Sequence, residues 1–391
     1  MKEIIVTGAN GFIGARVVER LVQAGWRVHA LGRSSSTCAW PSRMEAALAD
    51  IRGKPADPEI LQGLQCHEAV IIRADAGLDD TTRRRLANLG AVCLHLAGDT
   101  RFLPADVEAQ RRINVDAPAQ LVRTLGSGLS YFVHVSTAYV AGNRAGVLRE
   151  DEADVGQGFR NHYERSKLAG ELAVREACHA AALPLAIARP SIVVNDVETG
   201  RSSALTHLNA LIDLLERVRH NLGLNYGEVA GPEIRVPIDP EARPNLCPVN
   251  QIVETLVRLV ESPSAAGRVY HACHPSPQNM REVTDVFRHA WNVQEKLKVS
   301  FQENFDSPPR YTEKMILRSF RPYFPYLNDR SVFDLSHVTS LIPEYPTWFG
   351  PMDPAYVRKV MAARVEALSH RRQHNARGDA SELSEGLKHG S

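Results

Sequence analysis

A tyrosine and a lysine stand four residues apart in Tyr163-Glu164-Arg165-Ser166-Lys167, and Leu168, Leu172 and Val174 continue the segment in a helical pattern. Residues four apart lie one helical turn apart on one face, so the phenol and the ammonium point the same way. A free tyrosine has a pKa of about 10, too high for easy proton exchange at neutral pH. A neighbouring ammonium lowers it. Upstream, the run from Tyr131 to Val140 reads as a strand with two hydroxyls, Ser136 and Thr137, at its carboxyl end. A hydroxyl placed there donates to a carbonyl oxygen and shares its developing charge with Tyr163.

The elements that must hold these groups follow from the apolar pattern. Short apolar runs alternate with helical stretches through the first half, which predicts strand-helix-strand units and an α/β fold built on a doubly wound parallel Rossmann sheet. The expected strands are Glu3 to Thr7, Arg27 to Leu31, Ala69 to Arg73, Ala91 to Leu96, Tyr131 to Val135 and Leu185 to Ala188. Ile13, Val17, Leu21 and Val22 lie on one face of a first helix that Gly25 stops. Residues 42–65 read as a helical excursion before the third strand. The Rossmann domain is expected over 1–190, a smaller, mostly helical substrate-binding lobe over 191–370, and 246–275 returns to pack against the first domain. Residues 371–391 carry almost no large apolar side chain, which predicts a disordered tail.

Between the first strand and the first helix, Val6-Thr7-Gly8-Ala9-Asn10-Gly11-Phe12-Ile13-Gly14 places three glycines at a turn. Glycines there allow a close backbone approach to a pyrophosphate, whose charge the helix start stabilises. The strand-to-helix context makes this a dinucleotide site. At the end of the second strand an acid would bond the adenosine ribose, but the segment runs Leu31-Gly32-Arg33-Ser34. Arg33 and Ser34 suit a 2′-phosphate instead, so NADP(H) is the expected cofactor.

Composition narrows the alternatives. Lys plus Arg total 46 against 45 Asp plus Glu in 391 residues, which leaves no global field for nucleic acid. The six cysteines form no CxxC pair, and no metal site is expected, His271, Cys273 and His274 reading as packing and surface residues. A reducing cytoplasm fits the thiols, and no segment reads as a secretory signal or a membrane span.

The glycine turn, His95-Leu96-Ala97-Gly98, Asn114 in an INVD stretch, Ser136-Thr137 on its strand, Tyr163 with Lys167, and Arg189-Pro190-Ser191-Ile192 occur in one order over roughly residues 1–275. In that order the chain resembles the extended short-chain dehydrogenases/reductases. The resemblance implies that Thr137, with Ser136 as the fallback, binds the carbonyl, Tyr163 exchanges the proton, and Lys167 bonds the nicotinamide ribose. It implies cofactor contacts for Gly8, Asn10, Gly11, Phe12, Ile13, Gly14, Leu96, Ala97, Gly98, Pro190 and Ile192. Asp75, or in competition with it Asp50, would meet the adenine. Asn114 is either a proton-relay member or a residue that bends a helix.

Further details are similar to the thioester-reductase and fatty acyl-CoA reductase branch: the helical excursion, Thr100-Arg101-Phe102, and Arg321-Pro322-Tyr323-Phe324-Pro325-Tyr326. Gly98-Asp99 departs from the small apolar or hydroxyl residues usual there. This implies reduction of an acyl thioester, on coenzyme A or delivered by an acyl carrier protein, to an aldehyde or alcohol, by a monomer or homodimer. A ketone, secondary alcohol or nucleotide sugar is the alternative substrate, and a non-catalytic NADP-binding scaffold the third reading. Phe320, Tyr323, Phe324 and Tyr326 either line an acyl tunnel or form the core of the lobe. Arg83 to Arg85 either attract a carrier or form a solvated helix face.

Overall fold

In the computed structural model, residues 2–202, 209, 212–213, 233–290, 299–302 and 305–368 are described. Apolar runs covered on both faces become parallel strands, and the amphipathic stretches between them become the helices that cover them. The chain runs β1 (Lys2–Thr7), α1 (Phe12–Gln23), β2 (Trp26–Gly32), α2 (Trp40–Arg52), α3 (Pro58–Gln62), β3 (Leu64–Glu68), α4 (Asp80–Ala87) and β4 (Ala91–His95). It continues through α5 (Val107–Arg111), α6 (Ala117–Leu125), β5 (Leu129–Val135), β6 (Val147–Leu148), α7 (His162–Ala180), β7 (Leu185–Pro190) and β8 (Ile192–Val194). Then come β9 (Ile234–Val236), β10 (Leu246–Pro248), α8 (Val249–Glu261), β11 (Val269–Ala272) and α9 (Met280–Ala290). β12 (Val299–Phe301), α10 (Tyr311–Phe320), α11 (Phe324–Leu327), β13 (Val332–Phe333) and α12 (Ser336–Leu341) follow, and helix continues over 354–368.

Seven strands form the central sheet in the order β11-β7-β5-β4-β1-β2-β3, every neighbouring pair parallel. Strand order reverses between β1 and β4, which opens a crevice at their carboxyl ends, where doubly wound sheets bind ligands. One face is packed by Val17 and Leu21 of α1, Trp40 and Met44 of α2, and Ile252 and Leu256 of α8. The other is packed by Leu86, Leu121, Val122 and Val174. A third cluster joins Tyr139 and Ile192 near the sheet edge to Tyr326, Phe333 and Val357.

Two expectations change. The third strand is Leu64–Glu68, not Ala69 to Arg73. Strand register is set by β2, where Val28 N donates to Gly63 O at 2.9 Å and His29 Nδ1 meets His67 Nε2 at 2.9 Å. Residues 69–73, apolar and β-branched enough to read as a strand, fold into a turn in which Val70 N donates to Ala76 O at 2.8 Å. The excursion over 42–65 resolves into α2 and α3, its last two residues already lying in β3. Residues 371–391 and parts of the segment 191–370 lie outside the described residues.

Candidate active site

The glycine turn sits at the crevice. Gly8 has φ +67°, and a Cβ there would stand 2.7 Å from Ala97 N. At Gly14 a Cβ would meet Gly8 O at 2.1 Å. Both positions therefore exclude side chains, and the turn presses directly on the Leu96–Gly98 segment after β4. Thr7 Oγ1 links the two edges, accepting from Ala97 N at 3.2 Å and meeting His95 Nδ1 at 2.9 Å. Helix α1 begins at Gly11 with no side-chain cap and no acid in its first turn, so its free amides and dipole face the crevice. A close-approach cradle ending in unpaired amides fits a dinucleotide pyrophosphate. Asn10, Phe12 and Ile13 stand half-buried around it.

Thr137 follows β5 and caps the short turn Ala138–Ala141, accepting from Tyr139 N and donating to Pro190 O, each at 3.3 Å. It stands close enough to Tyr163 to act on the phenol's proton. Ser136 is buried, and it acts on the Glu171 carboxyl. Tyr163 opens α7, whose N-cap Asn161 accepts from Glu164 N at 3.0 Å. Burial pushes the Tyr163 phenol up to about 12, with Thr137 pulling it down and Glu164 adding to the rise. The lowering expected from the ammonium does not enter, and the phenol rises instead. One turn on, Lys167 is 5 % exposed and donates to Val135 O at 2.8 Å. Burial brings it down to about 8, opposed by the charge of Glu171.

Asn114 occupies a π-helical turn, Arg112–Asp116, between α5 and α6. Its Oδ1 accepts from Asp99 N at 2.8 Å, and its Nδ2 donates to Asp99 O and to Ser166 Oγ, each at 2.9 Å. Ser166 Oγ in turn donates to Tyr163 O at 2.9 Å. The Asn114 amide thus ties the loop after Gly98 to the helix that carries Tyr163. Its backbone carbonyl abuts Gly170 so closely that a Cβ there would come within 2.2 Å. Gly98 lies beside both groups: a Cβ on it would stand 3.3 Å from Asn114 Oδ1 and 3.9 Å from Lys167 Nζ.

Beneath this layer is a pair that sequence reasoning missed. Glu171, 0 % exposed, accepts from Arg189 Nε at 2.9 Å and Nη2 at 2.7 Å, and Arg189 also donates to Glu152 O at 2.8 Å. Burial pushes the Glu171 carboxyl up, but Arg189 more than offsets this and holds it below the usual range. The signal was available, because Tyr163, Lys167 and Glu171 repeat every four residues on one face of α7. Behind Lys167, His95 is fully buried and stacks on His134 with centroids 5.5 Å apart. Burial, then Lys167, brings His95 down to about 3, so it is neutral.

At the end of β2, Arg33 and Ser34 are exposed, and Ser34 is bonded by Glu68 from the end of β3. Asp75 lies on the exposed turn Ala74–Gly77 with φ +52°, well past the strand end rather than next to it, because β3 finishes at Glu68. Asp50 is exposed on α2, its charge acting on Arg16. Pro190 and Ile192 end β7 and open β8, within one bond of Thr137 through Pro190 O.

Phe102 packs on Tyr163 with centroids 5.9 Å apart and on Tyr326 at 4.9 Å and Tyr323 at 5.6 Å. Tyr326 donates to Glu164 Oε1 and accepts from Asn161 Nδ2, each at 2.6 Å, so α11 grips the start of α7. Phe320 and Tyr326 are buried in core clusters, whereas Tyr323 and Phe324 are half-buried. Among the described residues no cluster of metal-binding side chains occurs, and no helix is long and apolar enough to cross a membrane.

The chain is similar to several known proteins. The profile described as "Male sterility protein" matches residues 6–228. An isonitrile lipopeptide synthase of Mycobacterium tuberculosis is 28% identical over 217 residues, covering 50% of this chain and 8% of that protein. A carboxylic acid reductase of Segniliparus rugosus is 24% identical over 215 residues, covering 50% of this chain and 18% of that protein. The chain therefore matches less than a fifth of the length of either relative. The terminal R domain from the myxalamid PKS-NRPS pathway shares the fold with a TM-score of 0.73 at 20% identity, covering 94% of this chain and 91% of that one. UDP-glucuronic acid 4-epimerase of Bacillus cereus, determined in complex with NAD, gives 0.62 at 15% identity, covering 93% and 96%. With the profile matching more than half of its length, the chain belongs to the male sterility protein family, the thioester-reductase branch of the extended short-chain dehydrogenases/reductases, a family of NAD(P)-dependent oxidoreductases.

Proposed function

We propose that the protein reduces the carbonyl of an acyl thioester, presented on coenzyme A or on a carrier protein, with NADPH favoured as the reductant. The observation that carries this reading is Thr137 just past the carboxyl end of β5, close enough to act on the Tyr163 phenol, with Lys167 one turn along α7 and bonded to Val135 O at 2.8 Å. When bound in the glycine cradle, the reduced nicotinamide supplies the hydride that the carbonyl carbon receives. Tyr163 gives its proton to the carbonyl oxygen, and its raised pKa keeps it protonated and ready to donate at neutral pH. Thr137, whose present bonds are long at 3.3 Å, turns its hydroxyl to that oxygen and steadies the developing charge. Lys167 orients the cofactor ribose and, as a cation beside Tyr163, supports the phenolate left after proton transfer. The reduced thioester then expels its thiol and leaves an aldehyde, and a second equivalent of reductant would give the alcohol.

The thioester class rests on the relatives, which include a carboxylic acid reductase, and on the fold shared with a thiolation-reductase di-domain. Phe102 and the half-buried Tyr323 beside Tyr163 suit an apolar acyl chain. The test is NADPH oxidation with a panel of acyl-CoA, acyl-carrier, ketone and nucleotide-sugar substrates, using wild type and Tyr163→Phe. Thioester-dependent oxidation that falls about a hundredfold to ten-thousandfold in Tyr163→Phe, with cofactor binding retained, is expected. Turnover confined to ketones or sugars would overturn the substrate class, and unchanged turnover in Tyr163→Phe would overturn the mechanism.

A further inference from the structure

Specificity for the 2′-phosphate is expected to lie at the residues just after β2, yet a carboxylate already holds them. Gly32 of β2 pairs in register with Glu68, the last residue of β3. That places the Glu68 side chain beside the residues that follow the neighbouring strand. Glu68 Oε1 accepts from Ser34 N at 2.8 Å and Oε2 accepts from Ser34 Oγ at 2.8 Å. Ser34 Oγ is fixed in turn by Trp40 N, which donates to it at 2.9 Å, and Arg43 of α2 reaches over to donate to Arg33 O. The Arg43 guanidinium is thus held on a backbone carbonyl beside Ser34. The Arg43 side chain and the two donors of Ser34 meet here, with Arg33 next in sequence, and one anion of this chain has taken the Ser34 donors.

We propose that Glu68 is a specificity-determining residue of the cofactor site, a resident anion that competes with the 2′-phosphate for Ser34 and so narrows the preference for NADP(H) over NAD(H). The inference rests on the cofactor reading above. A 2′-phosphate needs the Ser34 amide and hydroxyl that Glu68 holds, and two anions cannot share two donors without repulsion. Binding NADP(H) therefore requires Glu68 to swing into solvent, which its exposed position permits. The diol of NAD(H) carries no charge and leaves the carboxylate in place as an acceptor, the part that an acid on the second strand takes elsewhere. Arg33 and Arg43 favour the phosphate once Glu68 has moved.

The experiment is direct titration of the full chain with NADPH and with NADH, followed by quenching of protein fluorescence, for wild type, Glu68→Gln and Glu68→Gln combined with Ser34→Ala. Glu68→Gln should tighten NADPH about tenfold and leave NADH unchanged or weaker, and the added Ser34→Ala should cancel most of the gain. NADH binding serves as the control that each variant has a folded site. An NADPH-to-NADH ratio that is unchanged or lower in Glu68→Gln overturns this inference alone. Failure of the wild type to bind either dinucleotide overturns it together with the cofactor reading.

Discussion

Replacing Glu171 by glutamine should unfold much of what the active site stands on. Glu171 and Arg189 are 0 % and 2 % exposed and joined by two bonds of 2.9 and 2.7 Å, so the guanidinium cannot find water once the charge opposite it is gone. Breaking one side of such a buried pair costs about 3–5 kcal/mol. The upper part of that range is expected, because Arg175 also faces Glu171, and its removal leaves two guanidinium groups repelling each other. Equilibrium urea denaturation at pH 7 measures the loss. Glu171→Met with Arg189→Met should lose less than the sum of the single changes, giving a coupling energy of the pair's own. Since the folded pKa of Glu171 is depressed, its contribution is present above the unfolded carboxylate value and disappears as pH falls through the folded one. The gap between wild type and Glu171→Gln should accordingly narrow in acid. A loss below about 1 kcal/mol at pH 7, or additive single and double variants, would refute the claim that this pair is dry and mutually dependent.

Burial brings His95 down to about 3 and His271 to about 4, so both fold as neutral rings. Each supports the fold above the unfolded histidine value and loses that support as pH falls from there towards the folded value, about 1.4 kcal/mol per histidine for each pH unit. Denaturation midpoints should begin to drop below about pH 6.5, and His95→Gln should flatten that slope; a stability curve level from pH 7 to 5 would contradict it. Gly8→Ala must hold a side chain at φ +67° and 2.7 Å from Ala97 N, so dinucleotide binding should be lost in the same fluorescence titration. Its stability should fall by roughly 1–3 kcal/mol in thermal or urea unfolding. Retained binding would show that the turn does not need its present path.

How much of this was legible before folding varies from residue to residue. The glycine turn and the Tyr163-Lys167 spacing could be read directly, since each depends on contacts within one turn or one strand-to-helix junction. The third strand could not. Residues 69–73 look better suited to a strand than 64–68, but which run pairs with β2 depends on the length of α2 and α3 and on the meeting of His29 with His67. That one shift set Asp75 on the turn after β3 and made Glu68 the last residue of the strand. The amide of Asn114 spans from Asp99 to Ser166, contacts between distant segments that the sequence does not display.

Local chemistry, then, was set by the order of residues: a phosphate-binding turn, a phenol and an ammonium on one helical face, and hydroxyls at a strand end. The tertiary structure decided which charges meet. Ser34 with Glu68, Glu171 with Arg189 and Phe102 with Tyr163 are partners from distant parts of the chain, and burial raised the Tyr163 phenol where its nearest cation was expected to lower it. Spacing along a chain specifies groups within a turn of one another, whereas pairing across strands and desolvation exist only after the sheet has closed over them.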